Sequence, residues 1–301
     1  MTSRGSLSNW LLGADGKVRP LLRAVLFFAL GTWIVGPLLE RSFGFLAEAL
    51  DVRPELSAAV IGLQELALFI GTLICTWIFA LYEGRRVDSY GLPVGMALSA
   101  RTWEGALAGV AMAATVAVGM YLLGGMQIHG VATTGRALAL AAVGWLIANI
   151  CIGIAEEFWY RSYLLQTLWK SLGFWPGALI IAALFAADHY FFKAGENIWD
   201  VITLVSLSLL MCYTVLRTGT LWFAVGFHVA FDYMQLFVIG TPNGSEIPVG
   251  RLLDVTFQGP AWLTGGVLGT EASFLMYPMI ALLWLYVRWR FPKTESPRAR
   301  P

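Results

Sequence analysis

The chain has 301 residues, of which 58% are hydrophobic and only 13% are charged, and its mean hydropathy is +0.69. A soluble domain usually carries about 25% charged residues, so the composition excludes an ordinary soluble protein and predicts an all-α, polytopic membrane helix bundle. The net charge of +1 and the scattered basic residues exclude nucleic acid as a partner.

Eight apolar runs are long enough to cross a bilayer, whose hydrocarbon core of about 30 Å needs about 20 helical residues. The first run follows basic residues, as in a signal peptide, but it ends at Pro37 without a small-residue cleavage site, so we expect a retained span. The sixth and seventh runs are so close that Arg217-Thr218-Gly219 must form a tight turn. The predicted spans are roughly residues 21–39, 58–82, 103–123, 138–158 and onward, 175–192, 198–217, 220–238 and 262–287.

Lysine and arginine are concentrated in alternate connections, which orients the spans through the positive-inside rule. The N-terminal stretch, the second loop, the region after the fourth span, the turn at Arg217 and the C-terminal tail are basic, and the opposite connections are more acidic. We therefore expect both termini in the cytoplasm.

The predicted organisation has three parts. Residues 1–137 contain the first three spans with their loops, and residues 138–240 form a central segment. Residues 241–301 contain an outer loop, the last span and a basic tail.

Ionisable side chains inside membrane spans are costly unless they are paired or face water, so each one marks a candidate site. The fourth span contains Glu156-Glu157-x-x-x-Arg161. Glu157 and Arg161 are four residues apart and can pair on one face of a helix, whereas Glu156 points about 100° away. The spacing therefore predicts one neutralised carboxylate and one free carboxylate.

Histidines occupy two later spans at a compatible depth. His189 lies in the fifth span, and His228 lies four residues before Asp232 in the seventh, so the imidazole and the carboxylate can contact each other. If the fourth helix continues to the interface, Glu156 and His189 lie about 20 Å and His228 about 12 Å from the cytoplasmic side, at 1.5 Å per residue. We therefore expect these groups to meet in a cavity that is reached from the cytoplasm.

These residue types together indicate hydrolysis. A carboxylate and an imidazole that converge on one water can deprotonate it for attack on a carbonyl, and a second imidazole with an acidic partner can stabilise the oxyanion. This reading requires no cofactor. Zn²⁺ held by Glu156, His189 and His228, with an open position for water, is the alternative that the residues leave open. The three cysteines lack CxxC or Cys/His spacing and indicate neither a thiolate metal site nor disulfides.

Three ordered motifs, Glu156-Glu157-x-x-x-Arg161, Phe185-x-x-x-His189 and His228-x-x-x-Asp232, resemble those of the CPBP family. This family comprises CAAX prenyl proteases of type II and bacteriocin-processing proteins, and it is also called Abi. The resemblance covers roughly residues 140–240 and implies a multi-span intramembrane endopeptidase of the glutamate type. The segment 138–240 is then its catalytic core.

The resemblance also implies roles for single residues. Glu156 is the general base, His189 helps to hold and activate the water, and Glu157 and Arg161 give support, while the oxyanion site is formed by His228 and Asp232. The eukaryotic prenyl-protein proteases have Asn at the last position, whereas many bacterial relatives tolerate Asp. An ionised Asp cannot donate a hydrogen bond, so Asp232 is protonated, orients His228 or binds a metal. The Asp variant favours a bacterial inner or plasma membrane.

The expected partners are a membrane-associated or lipidated peptide or protein as substrate, and the lipid bilayer. Two other classes of function remain open. The first is a non-catalytic immunity factor or scaffold of the same family. The second is a proton-coupled transporter in which Glu156, His189 and His228 form a proton relay. Paired Gly/Pro-broken helices, which mark inverted-repeat transporters, are not evident in the sequence.

Other ionisable residues receive more ordinary interpretations. Glu65 is expected either to face the same cavity or to lie near the outer interface. Asp188 is expected to be structural or to contact water, and His129 to lie in a solvated loop. The segment 240–260 is the longest polar connection on the outer side and is expected to lie across that face.

Overall fold

A computed structural model describes residues 11–13, 15–53, 55–195 and 197–292. Eight helices among them are long and apolar enough to cross a membrane, which confirms the predicted all-α, polytopic class. The basic residues at positions 4, 293, 298 and 300, which belong to the N-terminal stretch and the C-terminal tail of the topology prediction, lie outside the described residues. The helices are α1 (Pro20–Ala49), α2 (Ala58–Glu83), α3 (Ala100–Leu122), α4 (Gly135–Leu172), α5 (Phe174–Phe192), α6 (Ile198–Thr218), α7 (Trp222–Ile239) and α8 (Gly266–Arg290).

Helix boundaries follow local chemistry. The side chain of Asn197 caps α6 by accepting hydrogen bonds from the backbone N–H groups of Trp199 and Asp200, at 2.9 and 3.3 Å. Gly219 ends α6 with φ of 74°, a conformation that is easy only for glycine. The predicted tight turn between α6 and α7 is thereby confirmed.

The fourth helix is continuous but kinked. It runs to Leu172, which confirms the prediction that it extends beyond Glu156. A π-helical segment, Tyr160–Leu164, interrupts it, with non-helical angles at Ser162 (φ −88°, ψ −106°). The hydroxyl of Ser162 donates to the carbonyl of Phe158, a contact that often accompanies a bend.

Two short strands, β1 (Met126–Val131) and β2 (Leu253–Phe257), were not predicted from the sequence. They pair antiparallel, with an irregularity between Ile128 and Gly130. His129, expected in a solvated loop, is exposed but belongs to β1, and its Nε2 lies 2.9 Å from the hydroxyl of Thr256. The expected loop there is therefore a strand, because β2 supplies a partner from a distant part of the chain.

The two ends of the bundle differ. We call the end with residues 84–99 and the 218–221 turn the turn end, and the end with residues 193–195, 240–272 and both strands the sheet end. At the turn end, Glu83 accepts hydrogen bonds from Arg23, from Tyr163 (2.8 Å) and from Tyr90 (2.9 Å). At the sheet end, the backbone carbonyl of Val249 accepts from the indole of Trp145 at 2.9 Å, which joins segment 240–260 to α4. The expectation that this segment lies across the outer face stays a prediction.

Close helix packing sets the position of α7. An added Cβ at Gly226 would overlap the carbonyl of Thr102, and one at Gly105 would overlap the carbonyl of Phe223. On the other side of α7, a Cβ at Gly153 of α4 would lie 2.6 Å from Val229. Small residues thus let α7 approach both α3 and α4.

Candidate active site

An ion pair buried in the bundle anchors the site. Arg161 donates to Oε1 of Glu157 at 2.8 Å, and both side chains are 1% exposed, so the predicted pairing is confirmed. A second nitrogen of Arg161 donates to the hydroxyl of Ser208 on α6, also at 2.8 Å. The kink at Tyr160–Leu164 did not separate the pair, because the helix resumes within one turn.

His228 contacts three carboxylates. Its Nδ1 lies 3.0 Å from Oε1 of Glu157, and its Nε2 lies 3.5 Å from Oδ2 of Asp232 and 3.8 Å from Oε2 of Glu156. A carboxylate only accepts, so Nδ1 carries the proton and donates to Glu157. Glu157 therefore orients the imidazole in addition to pairing with the guanidinium of Arg161, a contact that helix spacing alone did not reveal.

Glu156 presents an unsatisfied oxygen. Its Oε2 is buried and has no hydrogen-bond partner among the described residues. The 3.8 Å to Nε2 of His228 is too long for a direct hydrogen bond, and such a separation is often bridged by water. The free carboxylate expected at position 156 is thus turned toward His228.

His189 is held by its own helix. Its Nδ1 donates to the carbonyl of Phe185 at 2.9 Å, and the two rings lie 4.5 Å apart. The Phe185 ring also packs 4.9 Å from the guanidinium of Arg161. The aromatic residue of the second motif therefore supports both a histidine and the buried ion pair, which leaves Nε2 of His189 for other contacts.

All these residues line one cavity of about 170 Å³. It has room for several water molecules. Four helices contribute the residues of the three motifs and Ser208, which binds Arg161. These lining residues are Glu156, Glu157, Arg161, Phe185, His189, Ser208, His228 and Asp232. The cavity therefore brings together every catalytic and supporting residue expected from the three motifs. Asp188 is exposed and is not part of this lining.

The cavity extends beyond the residues of the motifs. Lys193, Asn243 and Glu271, which belong to the sheet end, contribute to its lining. On the other side of Arg161, buried core residues such as Leu164 and Leu165 fill the bundle toward the turn end. The lining therefore continues toward the sheet end, and the expectation of a cavity reached from the cytoplasm stays a prediction.

Four contributors were not identified from the motifs. Glu65 of α2 lines the cavity, so the first of its two expected positions is correct. Lys193 and Glu271 form an ion pair at 3.3 Å, and each was visible only as an ionisable residue at or in a predicted span. Ser208 gave no signal, because serine is common in membrane helices.

The zinc alternative does not fit this arrangement. Among the described residues, no group of three or more His, Cys, Asp or Glu side chains could hold a metal ion. Glu156, His189 and His228 line one cavity without converging on one point as ligands.

Comparison with known proteins agrees with the motifs. Residues 138–234 match the family model described as Type II CAAX prenyl endopeptidase Rce1-like, a range that includes all three motifs. An uncharacterized protein of Bacillus subtilis (strain 168), YyaK, is 27% identical over 162 residues. That similarity covers 50% of this chain and 50% of YyaK, so the chain spans about half the length of the curated relative that it matches. No solved structure matches. Residues 138–234 are thus similar to the Rce1-like family model, and they lie in a chain whose described residues include eight helices long and apolar enough to cross a membrane.

Proposed function

We propose that the protein is an intramembrane endopeptidase that hydrolyses a peptide bond in a membrane-associated or lipidated protein or peptide. The observation that carries the proposal is the buried, unpartnered Oε2 of Glu156, 3.8 Å from Nε2 of His228 in a cavity large enough for water. Oε2 of Glu157 is also buried without a partner among the described residues, but Oε1 of Glu157 accepts from Arg161 and His228, whereas Glu156 has only the 3.8 Å contact with His228.

Glu156 acts as the general base in this proposal. A water held by Glu156 and His189 loses a proton to the Glu156 carboxylate as its oxygen bonds to the carbonyl carbon of the substrate. The protonated Glu156 then gives that proton to the amide nitrogen, and the C–N bond breaks to release an acid and an amine. The cavity walls exclude bulk water, which strengthens each electrostatic contact during the step.

His228 stabilises the oxyanion. Because Glu157 holds the proton on Nδ1, Nε2 donates to the developing oxyanion only when the ring is doubly protonated. The carboxylate of Asp232, 3.5 Å from Nε2, helps to orient this ring when ionised and can itself donate when protonated. Arg161 and Ser208 keep Glu157 in place.

The membrane orientation belongs to the proposal as well. Basic residues of the described chain are frequent near the turn end, where Lys17, Arg85, Arg86, Arg101, Arg217 and Arg288 lie. The positive-inside rule then favours a cytoplasmic turn end in a cell membrane, with both termini on that side, as in a bacterial inner or plasma membrane. A substrate would approach the cavity from the sheet end.

Peptide trapping tests the proposed reaction. The wild-type protein and its Glu156→Gln and His189→Ala variants are expressed, inserted in native membranes and purified with bound peptides, which mass spectrometry identifies. We expect intact membrane peptides on Glu156→Gln and their cleaved forms with the wild type. Glu104→Gln, which changes a carboxylate of α3 outside the cavity lining, is the control and should cleave as the wild type does.

A different outcome would favour another function. If both active-site variants retain the biological effect of the wild type and no peptide is cleaved, a non-catalytic immunity or scaffold role replaces the enzymatic one. Proton-coupled uptake into liposomes, abolished by the same variants, would instead support the transporter alternative.

A further inference from the structure

Glu65 is a cavity carboxylate outside the Rce1-like segment. It lies on α2, whereas the family match begins at residue 138. Gly62 of α2 packs against Ala148 of α4, and further along the same pair of helices Phe69 lies 6.0 Å from Phe158. Glu65 falls between these two contacts.

This packing determines the level of Glu65 in the bundle. The two contacts pair residues of α2 with residues of α4 that lie 86 and 89 positions later in the chain, so Glu65 is level with Ile152. Ile152 is about one helical turn from Glu156 toward the sheet end. Ile152, Glu156 and Glu65 all line the cavity. Because Lys193 and Glu271 line the cavity at the sheet end, a group that moves from there to Glu156 passes Glu65.

The charges of the cavity do not balance around Glu65. Glu157 is paired with Arg161, and Glu271 with Lys193. Oε2 of Glu65 is buried without a hydrogen-bond partner among the residues that the structure describes. The charged groups that act on it are the carboxylates of Glu156, Asp232 and Asp188, and the imidazole of His228.

Even when His228 is doubly protonated, the carboxylates around Glu65 outnumber the cations. Carboxylates gathered in a space shielded from water repel one another, and a buried acceptor without a donor is costly. A long side chain that ends in several N–H donors would satisfy Glu65 and would offset the negative charge contributed by Asp232. The narrow cavity of about 170 Å³ admits the slender chain of a lysine more easily than a bulky group.

We propose that Glu65 is a specificity-determining residue that binds a lysine or arginine side chain of the substrate close to the cleaved bond. This inference rests on the proposed endopeptidase function, since it concerns the peptide that enters the same cavity. The geometry selects a basic residue by attraction and disfavours an acidic one by repulsion at the same point.

Binding can be measured without cleavage. Two fluorescent peptides share one apolar sequence and differ at its centre, where one has lysine and the other has norleucine, a neutral side chain of similar length. Their affinities are measured by anisotropy for the full chain in nanodiscs, in a His189→Ala background that retains all cavity carboxylates. We expect the lysine peptide to bind about tenfold more tightly, and Glu65→Gln to bring the ratio of the two affinities close to one.

Two further variants complete the test. Glu104→Gln changes a carboxylate of α3 that does not line this cavity, so its affinity ratio should match that of the background. Glu65→Asp retains the charge at a shorter reach and should give an intermediate ratio, which decides the question if Glu65→Gln does not insert. A ratio near one in the background, or a ratio that neither Glu65 variant changes, overturns the inference. This test requires no cleavage. If the lysine peptide binds more tightly but the wild-type protein cleaves no peptide, the proposed function is refuted while the binding role of Glu65 remains.

Discussion

Oε1 of Glu157 lies 3.0 Å from Nδ1 of His228, so the second glutamate of the adjacent pair holds a histidine of another helix. The first glutamate, Glu156, has its Oε2 buried without a partner among the described residues. Oε2 of Glu157 is buried in the same way, but Oε1 of Glu157 accepts from Arg161 and His228, so the two chemically identical side chains are held differently and have different tasks in the proposed mechanism. One is part of a buried network, and the other is available to a water or a substrate.

Glu157→Gln should impair both stability and activity. The substitution leaves Arg161 buried without its counter-charge, and breaking such a pair by removing one partner typically costs about 3–5 kcal/mol. Glu156→Gln should abolish cleavage and change the unfolding temperature by no more than a few degrees, because the lost oxygen makes no hydrogen bond within the protein. Thermal unfolding in detergent and cleavage rates of both variants check this contrast. Equal losses of stability would contradict the division of tasks.

Asp232→Asn should retain cleavage, whereas Asp232→Leu should reduce it by at least about a hundredfold. An amide at this position can contact Nε2 of His228, now 3.5 Å from the carboxylate, and can donate to an oxyanion in any protonation state. Loss of one oxyanion donor usually costs about 10² to 10³ in kcat. Single-turnover rates at saturating peptide measure the effect. Full activity of the leucine variant would remove Asp232 from the mechanism.

Ser208→Ala should weaken the network indirectly. The hydroxyl accepts from Arg161 at 2.8 Å, and a hydrogen bond to a charged group contributes about 1.5–3 kcal/mol. We expect a lower unfolding temperature and a reduced kcat with an unchanged KM, since Ser208 acts through Arg161 and Glu157. Ser206→Ala, a half-buried change on the same helix, serves as the control and should leave both quantities as they are. Comparable effects of the two serine variants would argue against the network.

Gly226→Ala should destabilise the bundle and displace α7, the helix that carries His228 and Asp232. Its Cβ would overlap the backbone of Thr102, and overpacking of this kind costs about 1–3 kcal/mol. Gly44→Ala is the matched control, because a Cβ there meets nothing within 4 Å and the exposed helix position gains up to about 1 kcal/mol. Denaturant titration of the purified variants checks the difference in sign. A stabilised Gly226→Ala would show that α3 and α7 are not closely packed.

Tyr90 should make stability sensitive to alkaline pH. Burial, followed by the carboxylate of Glu83, raises the pKa of Tyr90 above its usual value of about 10. The unfolded chain then loses this proton at a lower pH than the folded protein, so the stabilisation is complete below pH 10 and decreases above it, by about 1.4 kcal/mol per pH unit. Unfolding temperatures of wild type and Tyr90→Phe, measured from pH 8 to 11, should be separated by a constant difference up to pH 9 and should converge above pH 10. Parallel curves would contradict the shift.

The helical architecture could be predicted because it depends on local composition. Eight apolar runs and the 217–219 turn are visible in any window of about 20 residues, and all eight helices are found. The β1–β2 pair was missed for the opposite reason. Its hydrogen bonds join segments that are distant in the chain, and neither strand shows a clear alternation of apolar and polar residues.

The site was predictable where helix periodicity sufficed. The i,i+4 spacing gave the contact of Glu157 with Arg161 and that of His228 with Asp232. The contact of His228 with Glu157 depends on how α7 is rotated against α4, which is set by the backbone approach at Gly153 and has no signature in spacing. Depth along a helix also does not reveal which end of a bundle is filled, so helix spacing could not show that the cavity lining continues toward the sheet end.

The pairing of β1 with β2 bears on how the protein is made. The two strands are separated by about 120 residues, so a chain that emerges from the ribosome displays Met126–Val131 with free backbone groups until Leu253–Phe257 has been synthesised. Every span up to α7 precedes that moment. Closure of the sheet end is therefore a late step of biogenesis, and the cavity that extends toward this end reaches its final form only after nearly the whole chain has been inserted.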